Sequence, residues 1–158
     1  MRKYILLIFI MIMNIGLYAN NEKPFVIPEI KHWESYSGDF IITNKTRIVC
    51  NRSNKELFEV AQLLSSDYEK MFGIKLKVED RISKGGVINF NIVNNDNYGD
   101  EAYCIDIHEN VVITANSIRG AIWATRTILQ IAEQNNHSLP KGRIIDYPDY
   151  EMRSFMLD

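Results

Sequence analysis

The chain is 158 residues long, 46% hydrophobic and 24% charged, with a formal net charge of −2 at neutral pH. That composition is ordinary for a globular domain and excludes a low-complexity or disordered polymer. Lysine and arginine gather into no basic stripe, which excludes nucleic acid as an expected partner. In chain order, Arg2 and Lys3 come first, ahead of the unbroken apolar run Ile5–Met13 and the small-residue site Leu17-Tyr18-Ala19. The apolar run falls well short of the roughly 20 residues that span a bilayer. Residues 1–19 therefore read as a cleaved signal peptide, and no cysteine follows to carry a lipid. The expected location is secreted or periplasmic, with no membrane attachment after cleavage. Removing Arg2 and Lys3 takes the formal charge from −2 to −4.

Residues 25–50 read as extended. Gly38-Asp39-Phe40 marks a turn, and Phe40–Thr43 and Thr46–Cys50 are strands separated by the turn pair Asn44-Lys45. Ser53-Asn54-Lys55-Glu56 has the form of a capping box, with Ser53 as cap. Behind it Leu57, Val60, Ala61, Leu64, Tyr68 and Met71 recur at helical spacing, and Gly73 is a suitable stop. Ile74–Glu79 alternates strictly, as a half-exposed strand does. Val87–Val93 places Ile88, Phe90 and Ile92 on one face. Tyr103–His108 and Val111–Thr114 follow, and the two-residue link Glu109-Asn110 makes them a hairpin. A second helix begins near Asn116 or Ser117 and runs to about Asn135. Its polar stripe of Arg119, Arg126, Gln130 and Glu133, which includes Trp123, is narrow, so the wide apolar remainder needs cover on more than one side. The elements add up to an α+β fold, an antiparallel sheet with two helices packed on one face.

The two cysteines differ in strand parity. Cys50 shares the apolar side with Ile48, whereas Cys104 lies opposite Tyr103, Ile105 and Ile107. Residues on opposite faces of one sheet cannot be bridged, so a disulfide between them is not expected. His32, His108 and His137 are scattered, with no zinc spacing beside either cysteine. The glycines of Lys84-Gly85-Gly86 lack the phosphate-loop pattern, and no nucleophile elbow occurs. Neither a metal nor a cofactor is expected.

The last thirteen residues, Asp146–Asp158, pass from a proline turn into the mostly apolar Met152-Arg153-Ser154-Phe155-Met156-Leu157, a buried-strand pattern. An arginine set in such a strand is costly to bury without a partner, which makes it a site candidate. Ile145-Asp146-Tyr147-Pro148 followed by Arg153-Ser154-Phe155-Met156-Leu157-Asp158 resembles the entry to the catalytic barrel of family 20 glycoside hydrolases, the β-N-acetylhexosaminidases. Ser154 stands where that family has glycine. The resemblance extends back through Leu139-Pro140 and through Gly120, Thr127 and Gln130 of the second helix. It reaches the opening Ile27-Pro28 and Gly38-Asp39-Phe40, where Ile30 replaces a second proline. This ordered series covers roughly residues 25–158.

The resemblance implies an organisation: residues 20–147 an accessory domain, and residues 148–158 the first strand of a (β/α)8 barrel, cut short at the end of the chain. It also implies that the whole enzyme removes terminal N-acetylhexosamine from glycans. The sugar's own acetamido oxygen then replaces a protein nucleophile. Arg153 matches the family's arginine that donates to hydroxyls of the terminal sugar. Such a contact suits the rigid fork of a guanidinium; an ion pair at the barrel base is the structural alternative. Asp158 matches a strand-end aspartate. The family's catalytic Asp-Glu pair is expected beyond residue 158. Asp100-Glu101, the one Asp-Glu in the chain, lies in a polar loop before a strand without the family's preceding glycines, and is read as non-catalytic. The partners implied are N-acetylhexosamine-terminated glycans, reached through the barrel, and the barrel itself as a packing surface for the second helix. Two alternatives remain open: the accessory domain of another glycosidase family, such as family 84 hexosaminidases or α-glucuronidases, and a stand-alone carbohydrate-binding or interaction module.

Overall fold

The computed structural model describes residues 20–81, 86–93 and 98–149. Arg153, Asp158 and the expected strand at 152–157 lie outside the described residues, as does the signal segment. The elements follow in the order β1 (His32–Ile41), β2 (Arg47–Val49), α1 (Lys55–Phe72), β3 (Lys77–Glu79), β4 (Val87–Ile92), β5 (Tyr103–Ile107), β6 (Val111–Ala115), α2 (Ile118–Gln134) and β7 (Ser138–Asp146). The strands form one sheet in the order β1-β7-β5-β6-β4-β2-β3. The α+β class and the pair of helices hold, but the sheet is mixed rather than antiparallel. β2 runs parallel to β3 and β4, and β4 parallel to β6, while β5 is antiparallel to β6 and β7, and β7 to β1. Helix α1 accounts for the β2–β3 pair: it returns the chain to the end of the sheet where it began, so the strands before and after it point the same way.

Both helices lie over the same face, where their apolar stripes merge with the sheet into one core. From α1 come Leu57, Val60, Ala61, Leu64 and Tyr68; from α2 come Ala121, Ala124, Ile128, Ile131 and Ala132. Ile48, Ile88, Phe90, Ile105, Ile107, Ile113 and Ile144 rise to meet them. The alternation read from the sequence is visible in β5, where Tyr103, Ile105 and Ile107 are buried, and Cys104 and Asp106 point to the other face. Cys50 is accordingly in the core, Cys104 is opposite Thr114 and Ile145 on the open face, and both are free thiols.

Two local expectations are corrected. Asn54, not Ser53, caps α1, its Oδ1 accepting from the Leu57 amide at 3.1 Å. Asn51 takes the Ser53 amide at 2.9 Å, and that turn carries the chain one residue further before the helix starts. Gly38-Asp39-Phe40 is not a turn between strands but a bulge within β1. The register against β7 shifts between Ser35 and Asp39, and Gly38 has φ +84°. Asn21 fastens this bulge: its side-chain amide donates to the carbonyls of Gly38 at 2.6 Å and Lys141 at 3.1 Å, and its own carbonyl accepts from Ser35 Oγ at 2.6 Å.

β7, a stretch to which the sequence reading assigns no element, is a strand in the interior of the sheet that carries Pro140 and Gly142. Proline survives there because β5 pairs only with residues 142–146, leaving Pro140 bonded on the β1 side alone. Gly142 is required by Trp33. A Cβ at residue 142 would sit 2.2 Å from the Trp33 ring and 2.5 Å from the Glu34 carbonyl oxygen.

The end of α2 meets the middle of α1 through Tyr68, fully buried, whose hydroxyl lies 2.7 Å from His137 Nδ1. Burial pushes the Tyr68 phenol up to about 12. A phenol whose folded pKa is raised favours the folded state while it stays protonated. Its contribution is therefore complete below the unfolded value near 10 and is lost as pH climbs toward 12. Chemical denaturation should show stability falling across that alkaline window by up to about 3 kcal/mol from this group. The part of the fall due to Tyr68 should vanish in Tyr68→Phe; an unchanged slope in that variant would contradict the assignment.

Candidate functional site

The residues singled out in the second helix and at the chain's exit converge on one place, a cavity of about 530 Å³ beside the end of β7. Its back wall is a hydrogen-bonded trio. Thr127 Oγ1 on α2 lies 2.7 Å from the Tyr103 hydroxyl on β5, which donates to Asp146 Oδ2 on β7 at 2.9 Å. Asp146 Oδ1 accepts from the Lys31 amide at 3.3 Å, just before β1. Tyr103 reaches this position because its strand parity points it at the helices, and burial pushes its phenol well above the ordinary range. A buried hydroxyl needs partners, and Thr127 and Asp146 supply them.

The cavity floor is the N-terminal arm. Gln130 Oε1 accepts from the Ile27 amide at 2.9 Å and its Nε2 donates to the Ile27 carbonyl at 3.1 Å, as one more strand would. Gln134 Nε2 donates to the Phe25 carbonyl at 2.9 Å. The cover that the wide apolar surface of α2 requires thus comes from the sheet, from α1 and from this arm. Arg126 reaches across to Asp67 on α1 at 2.6 Å. Apolar surface remains uncovered at the rim: Trp123 is 45% exposed and Phe25 and Ile27 are 67% exposed. Tyr147, Pro148 and Asp149 close the opposite side, so the backbone leaves the described structure from the cavity's own wall.

Gly120 has a structural duty. A Cβ there would lie 2.4 Å from the Ala102 carbonyl oxygen, so α2 touches the start of β5 backbone to backbone. Glu101 lines the cavity, whereas Asp100 lies in the preceding turn and its carbonyl accepts from Ser117 Oγ at 2.6 Å. Ser117 also caps α2, accepting from the Arg119 amide. The three histidines are dispersed, each beside a tyrosine: His32 with Tyr147, His108 stacked on Tyr36, and His137 with Tyr68. No group of three metal-ligating side chains occurs among the described residues. Burial raises the pKa of both thiols, most simply for Cys50, and for Cys104 with the Asp106 carboxylate adding to it. Neither is set up as a nucleophile. The site is built to hold backbone segments together, and its chemistry is that of a joint.

Residues 23–147 match the family model for glycosyl hydrolase family 20, domain 2. The chain belongs to that family. A lacto-N-biosidase of Bifidobacterium bifidum is 27% identical over 143 residues, which cover 88% of this chain and 12% of that protein. Among solved structures, a mutant Streptomyces plicatus β-hexosaminidase in complex with the product GlcNAc matches with a TM-score of 0.69 and 23% identity. That match covers 84% of this chain and 28% of that one. An exo-β-N-acetylglucosaminidase from Vibrio harveyi matches with a TM-score of 0.65 and 19% identity, over 88% of this chain and 21% of that one. Both structural likenesses establish the fold. The chain spans about an eighth of the length of the biosidase and about a quarter of that of the hexosaminidases.

Gly120→Ala separates two opposed effects. Helix propensity alone would favour alanine by about 1 kcal/mol, whereas forcing a methyl into a filled contact costs about 1–3 kcal/mol. The 2.4 Å approach is to backbone, which cannot swing aside, so the clash should win. The urea midpoint should fall by the equivalent of about 1–2 kcal/mol. A more stable variant would show that α2 does not sit this close to β5. Gln130→Ala should leave the midpoint nearly unchanged and speed hydrogen exchange at the Ile27 amide, since it releases the arm and not the core.

Proposed function

We propose that this chain is the N-terminal portion of an exported β-N-acetylhexosaminidase, an accessory domain that seats the catalytic barrel and does not itself catalyse. The observation that carries the reading is the family 20 domain 2 match over residues 23–147. In this reading the leader at residues 1–19 directs secretion or periplasmic delivery. The barrel follows residue 149 and packs over the cavity, with Trp123, Phe25 and Ile27 buried beneath it. Exposed apolar patches of such kind mark interaction sites. Support comes from the position of the cavity, which opens where Tyr147–Asp149 lead the chain away.

The reaction proposed for the whole enzyme needs an acid to protonate the leaving glycosidic oxygen and a carboxylate to orient the acetamido group, whose oxygen attacks the anomeric carbon. Asp100 and Glu101 are not proposed for those roles. Asp100 sits in a turn, its carbonyl held by Ser117, and Glu101 faces the joint. Arg153 is proposed to donate to hydroxyls of the terminal sugar.

Two measurements test this. The chain alone should not release chromophore from a chromogenic N-acetylglucosaminide; turnover that disappears in Glu101→Gln would overturn the reading. In a chain continuing through the barrel, Arg153→Ala should leave the melting temperature nearly intact. Its specificity constant should fall roughly a hundredfold, since two unpaired sugar groups cost about 1–3 kcal/mol each. Arg153→Lys should not restore activity, because one ammonium cannot reproduce the planar fork. A destabilised but active Arg153→Ala enzyme would make the arginine a structural ion-pair partner instead.

A further inference from the structure

A second concavity, about 950 Å³, lies at the far edge of the sheet from the joint, between α1 and β3. One flank of the helix lines it from end to end, with Lys55, Glu59, Gln62, Ser66 and Glu69 at spacings of three and four. That stripe is about 20 Å long at the helical rise of roughly 1.5 Å per residue. Opposite it stand five consecutive residues, Lys75–Glu79. Side chains alternate across a strand, so five in a row bordering one groove means that the strand's edge, not one of its faces, forms the wall. Leu76 borders the groove although the residue is buried and belongs to the core. Its carbonyl accepts from Ser65 Oγ at 2.5 Å. β3 is the last strand of the sheet and pairs with β2 alone among the described residues. The helix therefore overhangs a strand position that the sheet leaves empty.

The charges say what fits there. Lys75 is paired with Glu69 and Glu79 with Arg47. Arg52, which lies over the Phe58 ring at 5.4 Å, Lys55 and Lys77 take part in no ion pair among the described residues, against the single acid Glu59. The lining thus carries four cations against three acids on a chain of net charge −2, and its three unpaired cations outnumber its one unpaired acid. Edge lysines ordinarily deter another strand from pairing. Here the same cations make the edge selective, repelling basic strands and attracting acidic ones.

We infer that this groove is a docking site for an extended acidic polypeptide segment, which adds to the sheet beside β3 with its carboxylates against Arg52, Lys55 and Lys77. Backbone hydrogen bonds to the free edge supply the affinity, and the cations supply the choice of partner. The groove's length accommodates about six residues in extended form. The site is independent of the joint and of any glycan chemistry proposed for the whole enzyme.

The test is a titration of the isotopically labelled chain with short blocked peptides, one alternating glutamate and valine, the other lysine and valine. The glutamate peptide should shift the amide resonances of Lys75–Glu79 and slow their exchange with solvent, and the lysine peptide should do neither. The double variant Lys55→Glu, Lys77→Glu should weaken the glutamate peptide about tenfold while keeping its native spectrum, and added salt should weaken it as well. Equal responses to the two peptides, or no response at Lys75–Glu79, would overturn the inference. So would equal binding of a sulfated oligosaccharide, which would make the groove a polyanion site. Loss of the unliganded chain's own edge signals with rising protein concentration would make its occupant a second copy.

Discussion

Helix α2 rests on the sheet with backbone almost touching backbone, because Gly120 puts no side chain between it and the Ala102 carbonyl. That distance governs what can be built above it. With the helix seated so low, Thr127 comes within hydrogen-bonding reach of Tyr103, and Tyr103 in turn reaches Asp146 on the outgoing strand. One turn further, Gln130 meets the arm at Ile27. A helix lifted by the width of a methyl group would take Thr127 out of reach of the buried Tyr103 hydroxyl, leaving Asp146 as its one partner in the trio. Close seating is thus the condition for the whole joint, and the polar trio locks in a geometry that packing sets first.

The polar groups of the domain sort accordingly. Those on the core side are enclosed and satisfied: Tyr68 against His137, Ser65 against Leu76, Tyr103 against Thr127. Those on the open face of the sheet form exposed cross-strand pairs such as Arg143 with Asp106. Exposed pairs of this kind contribute little to stability, and they keep one face of a mixed sheet soluble. Among the described residues neither set offers an activated acid or nucleophile.

Much of this was legible in the sequence wherever one periodicity ran undisturbed. The helix patterns apart from exposed Met71, the Gly73 stop, the Ser117 cap candidate and the burial parity of β5 appear as read, as do buried Ile88 and Phe90 in β4. What the sequence concealed were elements whose residues answer to distant neighbours. Pro140 and Gly142 look like breakers because the one-sided pairing that tolerates the first, and the Trp33 ring that demands the second, lie more than a hundred residues away. Parallel pairing around β2 was equally hidden, since a strand's residues do not record the direction of its neighbours. At the candidate site, the positions of Gly120, Thr127, Gln130 and Asp146 could be read from the motif. Their shared destination could not, because nothing local ties Tyr103 or Ile27 to them.

The sheet order has a consequence for synthesis. Among the described residues β1 is the first strand made, and it pairs only with β7, the last of them. A chain that emerges N-terminus first must therefore hold a ten-residue strand without its partner until nearly the whole domain is present. The β2–α1–β3 unit can close early from local contacts, but the edge formed by β1 cannot, and long-range strand pairing of this kind is slow. Insertion of β7 between β1 and β5 is the step that closes the sheet, and residues 20–146 must all be present before it can occur.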